Sequence, residues 1–299
     1  LGLRLLRDTV IFLAVGIVFM LILLLPREME IEHQGGLVFT AGYPFTLELY
    51  KGNIDAFIDY VKEEKGFGTT AAGTPLTKHV QRYILRSLKI VLPAFFIAMT
   101  VGTTIGVLLF TIRNKKRGRI LTFLAEMFAS IPDFFLFIAI QYLIILAIHR
   151  GFPPFELYSS DQWYSFIIPC LSLTLFPLFH MVRLTVTTMN NEAGEDYVQT
   201  AQSKGMSKWR VIGHVFANSW VTIVNQAQMV MLYILSSLPI IEKLANYHGA
   251  GYLLLESILN NDNVLALLFF LPLLLLMYVV VIISQLVRGR LLEKDVNET

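Results

Sequence analysis

The chain has 299 residues, 55% of them hydrophobic and only 15% charged, with a mean hydropathy of +0.62. Soluble chains run at about 45–50% apolar and about 25% charged, so this balance indicates a polytopic membrane protein. A net charge of +2, with basic residues gathered at span ends, argues against a nucleic-acid binder, and the single Cys170 excludes an internal disulfide or a cysteine-based metal site.

A membrane-crossing helix needs roughly 20 mostly apolar residues for about 30 Å of hydrocarbon. Stretches at about 8–26, 84–112, 120–148, 163–187, 218–241 and 264–287 meet that length. Their apolar residues run continuously rather than alternating, which predicts helices and not barrel strands. The expected fold is therefore all-α, with six transmembrane helices. Arg4 and Arg7 precede the first run and no small-residue cleavage site follows Leu25, so that helix is expected to stay as an anchor.

Three regions follow: an N-terminal helix at 1–26, an extracytoplasmic segment at 27–83, and a five-helix core at 84–299 with a polar loop at 188–217. In the outer segment, Ile54, Phe57, Ile58 and Val61 share one face, predicting an amphipathic helix from Asn53 to Lys65. The glycine cluster from Gly66 to Gly73 ends it. That cluster lacks the Gly-Lys-Ser/Thr ending of a phosphate loop, and no zinc-hydrolase or nucleophile-elbow motif occurs either.

Short loops on one side carry Arg113, Lys115, Lys116, Arg117 and Arg119, then Lys204, Lys208 and Arg210, then Arg288, Arg290 and Lys294. The opposite short loops hold Arg150 and Lys243. The positive-inside rule places both termini and the 188–217 loop in the cytoplasm.

Two spans carry polar stripes. Glu126, Ser130, Asp133 and Gln141 recur in the third; Asn218, Thr222, Asn225 and Ser236, with Gln226 and Gln228 beside them, recur in the fifth. A charge at the bilayer centre costs about 2.5–3.5 kcal/mol on insertion scales, so such residues face protein or water. The plainer reading is interhelical hydrogen bonding, about 0.6 kcal/mol each. The fuller one is a translocation path lined by Ser130, Asp133, Gln141, Thr222, Asn225 and Gln228. Pro132, Pro169, Pro177 and Pro272 are expected to kink their spans.

The polar loop reads as helix, glycine, helix. Asp196 suits an N-cap and Glu195 the helix start, Lys204 falls in the last turn, and Gly205 suits the left-handed stop. Ser207 suits the cap of the next helix, which runs through Trp209. Tyr197, Val198 and Ala201 form a small apolar face, with Met206 at the turn. That face either packs on the ends of its own spans or fits a groove on a soluble partner.

From Glu195 to Phe216 the sequence resembles the cytoplasmic EAA loop of permease subunits in binding-protein-dependent ABC importers, within the oligopeptide/dipeptide/nickel branch, with Gly194, Glu195, Asp196, Tyr197, Val198, Thr200, Ala201, Lys204 and Gly205 matching in register. Gly66-Phe-Gly-Thr-Thr, Ser130-Ile131-Pro132 and the segment from Glu242 to Asp262 also resemble that branch. Asn218-Ser-Trp, Pro26-Arg27-Glu28 and Ala245-Asn-Tyr-His depart from its pattern.

The resemblance implies a type I importer permease fold in a bacterial or archaeal cytoplasmic membrane. It implies Glu195, Asp196, Tyr197, Val198, Ala201, Lys204, Gly205 and Met206 as contacts to an ABC ATPase. A second, related permease and an extracytoplasmic substrate-binding protein complete the implied assembly. No cofactor is expected in this chain, with ATP and Mg on the ATPase, so it is not itself expected to be an enzyme. The competing expectations are a proton-coupled secondary transporter with Asp133 and Glu126 as relay, and a membrane scaffold without transport.

Overall fold

A computed structural model of the chain describes residues 2–26, 30–33, 39–42, 45–64, 67–69, 75–151 and 162–297. The apolar runs fold as helices because a helix satisfies every backbone N–H and C=O within itself, which lipid requires. The helices are α1 (Gly2–Leu23), α2 (Leu47–Glu63), α3 (Leu76–Thr111), α4 (Lys116–Phe128), α5 (Asp133–His149), α6 (Ile167–Glu192), α7 (Asp196–Ser203), α8 (Lys208–Asn225), α9 (Ala227–Leu244), α10 (Ala250–Leu259) and α11 (Asn263–Asn297). The departure from an all-helical chain is an antiparallel hairpin, β1 (Glu30–His33) with β2 (Phe39–Gly42), in which Glu30 faces Gly42.

Among the described residues five helical stretches are long and apolar enough to cross a membrane: Leu6–Leu23, Leu76–Thr111, Ile167–Glu192, Lys208–Leu244 and Asn263–Gly289. The expected third span is split. Its helix stops at Phe128 and restarts at Asp133, so α5 is a shorter apolar helix rather than part of one continuous rod. Pro132 explains the break: it has no N–H to donate and disfavours helical geometry at Ile131. Pro132 is thus the N-cap of α5, and Pro169 lies in the first turn of α6, where proline is tolerated. The prolines inside helices are Pro177 and Pro272, as expected, together with Pro93 and Pro239.

The amphipathic helix begins at Leu47 rather than Asn53, because Thr46 caps it by accepting from Leu49 N at 3.2 Å. Tyr50 and Asn53 donate to the carbonyls of Leu21 and Leu24, which ties α2 to the C-terminal end of α1. Much of the glycine cluster expected to end it lies outside the described residues.

The bundle is organised around the α3–α6 crossing. Gly102 and Gly106 let the backbones approach: an added Cβ would sit 2.8 Å from Met181 Cβ and 2.5 Å from Thr185 Cβ respectively. Small residues one turn apart at a helix crossing are a standard membrane packing device. Ile90, Ala94, Ala98, Met181, Val230, Met231 and Ile234 are wholly enclosed around it. α1 lies against α11, with Phe19 stacked on Phe270 at 3.6 Å between ring centroids and Thr9 Oγ1 2.6 Å from the Tyr278 hydroxyl.

Candidate functional site

α7 is the short rod the polar loop predicted. Glu195, not Asp196, is its N-cap, in extended geometry and without a side-chain cap bond; Asp196 is the first helical residue. Both acids still lie where the helix dipole favours negative charge. At the other end Met206 N donates to Ala201 O at 3.2 Å and Gly205 N to Gln202 O at 2.9 Å. Those two bonds make a Schellman stop, with Gly205 at φ +73° supplying the left-handed residue.

One face of α7 is inward. Val198 is 2% exposed and joins Phe110, Met189, Val211, Ile212 and Val215 in a small cluster, flanked by Tyr197, Ala201 and Met206. Tyr197 donates to Glu192 Oε1 at 2.8 Å; burial, then that bond, push its phenol up to about 12. Lys208 Nζ reaches the Thr111 carbonyl at 3.3 Å, fastening the loop to the end of α3. Behind the helix lies a cavity of about 380 Å³ bounded by Arg113, Gln202, Met206 and Ile212.

The apolar face thus seats the rod on its own bundle, the plainer of the two sequence readings. What the rod turns outward is polar: Glu195, Asp196, Gln199, Thr200, Ser203 and Lys204 are exposed. Trp209, at the start of α8, is 71% exposed beside it. A large bare indole next to a polar ridge is the composition of an interface anchor. The sequence placed Trp209 at the turn without giving it a contact role.

The polar stripes do not stay together. Ser130 sits in the break between α4 and α5 and donates back to the Glu126 carbonyl at 2.9 Å. Asp133 opens α5, and its side chain lies outside the described residues. Gln141 is buried, one turn from the enclosed Phe137, so it faces the bundle interior. Thr222 is exposed on α8.

Asn225 and Gln228 instead flank the α8–α9 joint and line a cleft of about 590 Å³ against α1 and α11. Its other polar walls are Arg7, Asp8, Gln285 and Arg288. Asp8 accepts from Arg7 Nε at 3.0 Å and from Gln285 Nε2. Sequence reasoning passed over Asp8, although an acid inside the first apolar run was a visible signal.

A second missed cluster stands where α3, α9 and α10 meet. Glu242 is 0% exposed and takes hydrogen bonds from Ser87 Oγ at 2.5 Å and Tyr252 N at 2.8 Å. Ser87 Oγ also accepts from Ala250 N at 2.7 Å. The carboxylate therefore caps α10 and ties it to α3. A Cβ at Gly249 would run into the Glu242 carboxyl, and one at Gly251 would press on Leu238 Cγ at 2.9 Å. Arg86 Nη1 reaches the His248 carbonyl at 3.3 Å, and Tyr247 returns a bond to the Arg86 carbonyl at 3.3 Å. Burial pushes the Tyr247 phenol up to about 12, with the nearby Glu242 charge adding to it.

A permease protein of Brucella abortus (strain 2308) named for peptide transport is 28% identical over 63% of this chain and 62% of its own length. The glutathione transport system permease protein GsiC of Salmonella choleraesuis (strain SC-B67) is 27% identical over 64% of this chain and 62% of its own. The chain thus matches about six-tenths of the length of these relatives. In fold it is similar to a chain of the MetNI methionine ABC transporter solved in inward-facing conformations, with a TM-score of 0.56 and 15% identity over 71% of this chain and 95% of that one. Residues 80–296 match the family described as binding-protein-dependent transport system inner membrane component, and the chain belongs to that family.

Proposed function

We propose that this protein is one of two permease subunits of an ATP-driven importer for peptides or a similar small solute. The supporting observation is α7: a short helix stopped at both ends, seated by Val198, with a polar ridge and Trp209 left bare. A rod held this way shifts as a rigid body with its bundle when a partner grips its outer face, which is how a small docking motion becomes a gate motion. An ABC ATPase, carrying ATP and Mg, grips that face from the cytoplasm. A second, related permease supplies the other half of the path, and an extracytoplasmic binding protein delivers the solute. Both termini face the cytoplasm of a bacterial or archaeal cell.

The test is uptake into proteoliposomes holding the assembled importer. Gln199→Arg with Thr200→Arg, both on the bare ridge, leaves the permease folded but lowers ATP-driven uptake and ATPase co-purification at least tenfold. Uptake that persists without the ATPase and collapses with the proton gradient refutes the proposal in favour of secondary transport.

A further inference from the structure

α3 is longer than the membrane requires. Its 36 residues span about 54 Å at 1.5 Å per residue, against about 30 Å of hydrocarbon. Arg113, Lys115, Lys116 and Arg117 fix its inner end, so about 20 residues cover the lipid and the stretch from Leu76 to about residue 91 stands in headgroups and water. That protruding part carries Lys78, Arg82, Arg86 and Lys89, spaced by four, four and three residues. The spacing puts them on one helical face about 16 Å long.

Lys78, Arg82 and Lys89 are exposed and have no ion-pair or hydrogen-bond partner among the described residues. With Leu85, Leu88, Leu92 and Pro93 they border a shallow groove of about 860 Å³. Below it the same uncovered face continues through Phe96, Thr100 and Thr104. By contrast α1 exposes Val10, Ile17 and Val18, α4 exposes Ile120 and Phe123, and α5 exposes Phe135, Ile138 and Leu143. Those suit lipid; a cationic ramp at the outer mouth does not.

We propose that this face of α3 is the wall of the outer vestibule and that it attracts solutes through their carboxylates, favouring acidic peptides over basic ones. The inference rests on the importer reading above and adds a substrate class to it. Arginine meets a carboxylate with a two-pronged hydrogen-bonding fork and lysine with a point charge, and a wall of one sign raises the local concentration of its counter-ion about 10-fold or more. Arg86, already held by the His248 carbonyl, keeps the stripe in register with the α10 elbow.

The experiment measures uptake of Ala-Asp-Ala and Ala-Lys-Ala by the complete importer in zwitterionic vesicles, wild type against Lys78→Gln/Arg82→Gln/Lys89→Gln. Comparing the acidic-to-basic ratio between the two proteins cancels the preference of the binding protein. The ratio falls about tenfold in the triple variant at low salt, and the difference disappears at 0.5 M salt, where the Debye length is below about 5 Å. An unchanged ratio overturns the proposal. So does a loss that is equal for both peptides and appears only when anionic lipid is added, which assigns the stripe to headgroups. If the triple variant does not assemble, Arg82→Gln alone must still lower the ratio at least twofold. Wild-type vesicles that take up neither peptide with ATP overturn this proposal, whereas the importer reading itself falls if uptake persists without the ATPase.

Discussion

Replacing Glu242 with alanine tests the clamp between α3, α9 and α10 most directly. The carboxylate receives Ser87 Oγ–H at 2.5 Å and Tyr252 N–H at 2.8 Å, in a site without solvent access. Glu242→Ala strands those donors together, and each buried unsatisfied group costs about 1–3 kcal/mol. Partial relaxation of α10 offsets part of that sum. The expected loss is therefore about 2–5 kcal/mol, a large share of any protein's net stability. Glu242→Gln keeps the volume and one acceptor but points N–H groups at N–H groups, so it loses about 1–3 kcal/mol. Ser87→Ala removes one donor to the carboxylate and the acceptor for Ala250 N, and falls in the same range. Unfolding of the purified protein in mixed micelles by SDS titration gives the three values. A Glu242→Ala loss under about 0.5 kcal/mol, or Gln worse than Ala, refutes the clamp, since either means the carboxylate satisfies nothing.

The α3–α6 crossing and the open turns of the helices predict opposite outcomes for one type of substitution. Gly106→Ala drives a methyl against Thr185 and destabilises the protein by about 1–3 kcal/mol, whereas Gly213→Ala, where a Cβ meets nothing within 4 Å, stabilises α8 by about 0.5–1 kcal/mol in the same titration. Gly205→Val, forced to a left-handed φ of +73°, costs about 1–2 kcal/mol and shows first as faster amide hydrogen exchange at Gly205 and Met206.

The sequence by itself determined the features governed by local rules. Uninterrupted apolar runs become helices whatever surrounds them, because lipid offers their backbone no other partner. α7 was legible for the same reason: the acids at Glu195 and Asp196 and the left-handed Gly205 act within a turn of themselves. Direction of burial was not legible. Val198 and Tyr197 formed an apolar face that suited a partner or the bundle equally, and only the proximity of Phe110, Met189 and Val211 turned it inward. The break in the third-span stripe was not legible either: a stripe assumes one straight helix, and Pro132 ended that helix between Ser130 and Asp133.

Tertiary structure alone decided the pairings between distant positions. Ser87 and Glu242 stand 155 residues apart and Asp8 and Gln285 277 apart, and nothing in the spacing of either pair marks it. Such contacts depend on how whole helices cross, and the crossing here is set by the close approach at Gly102 and Gly106, where two backbones meet because neither side chain intervenes.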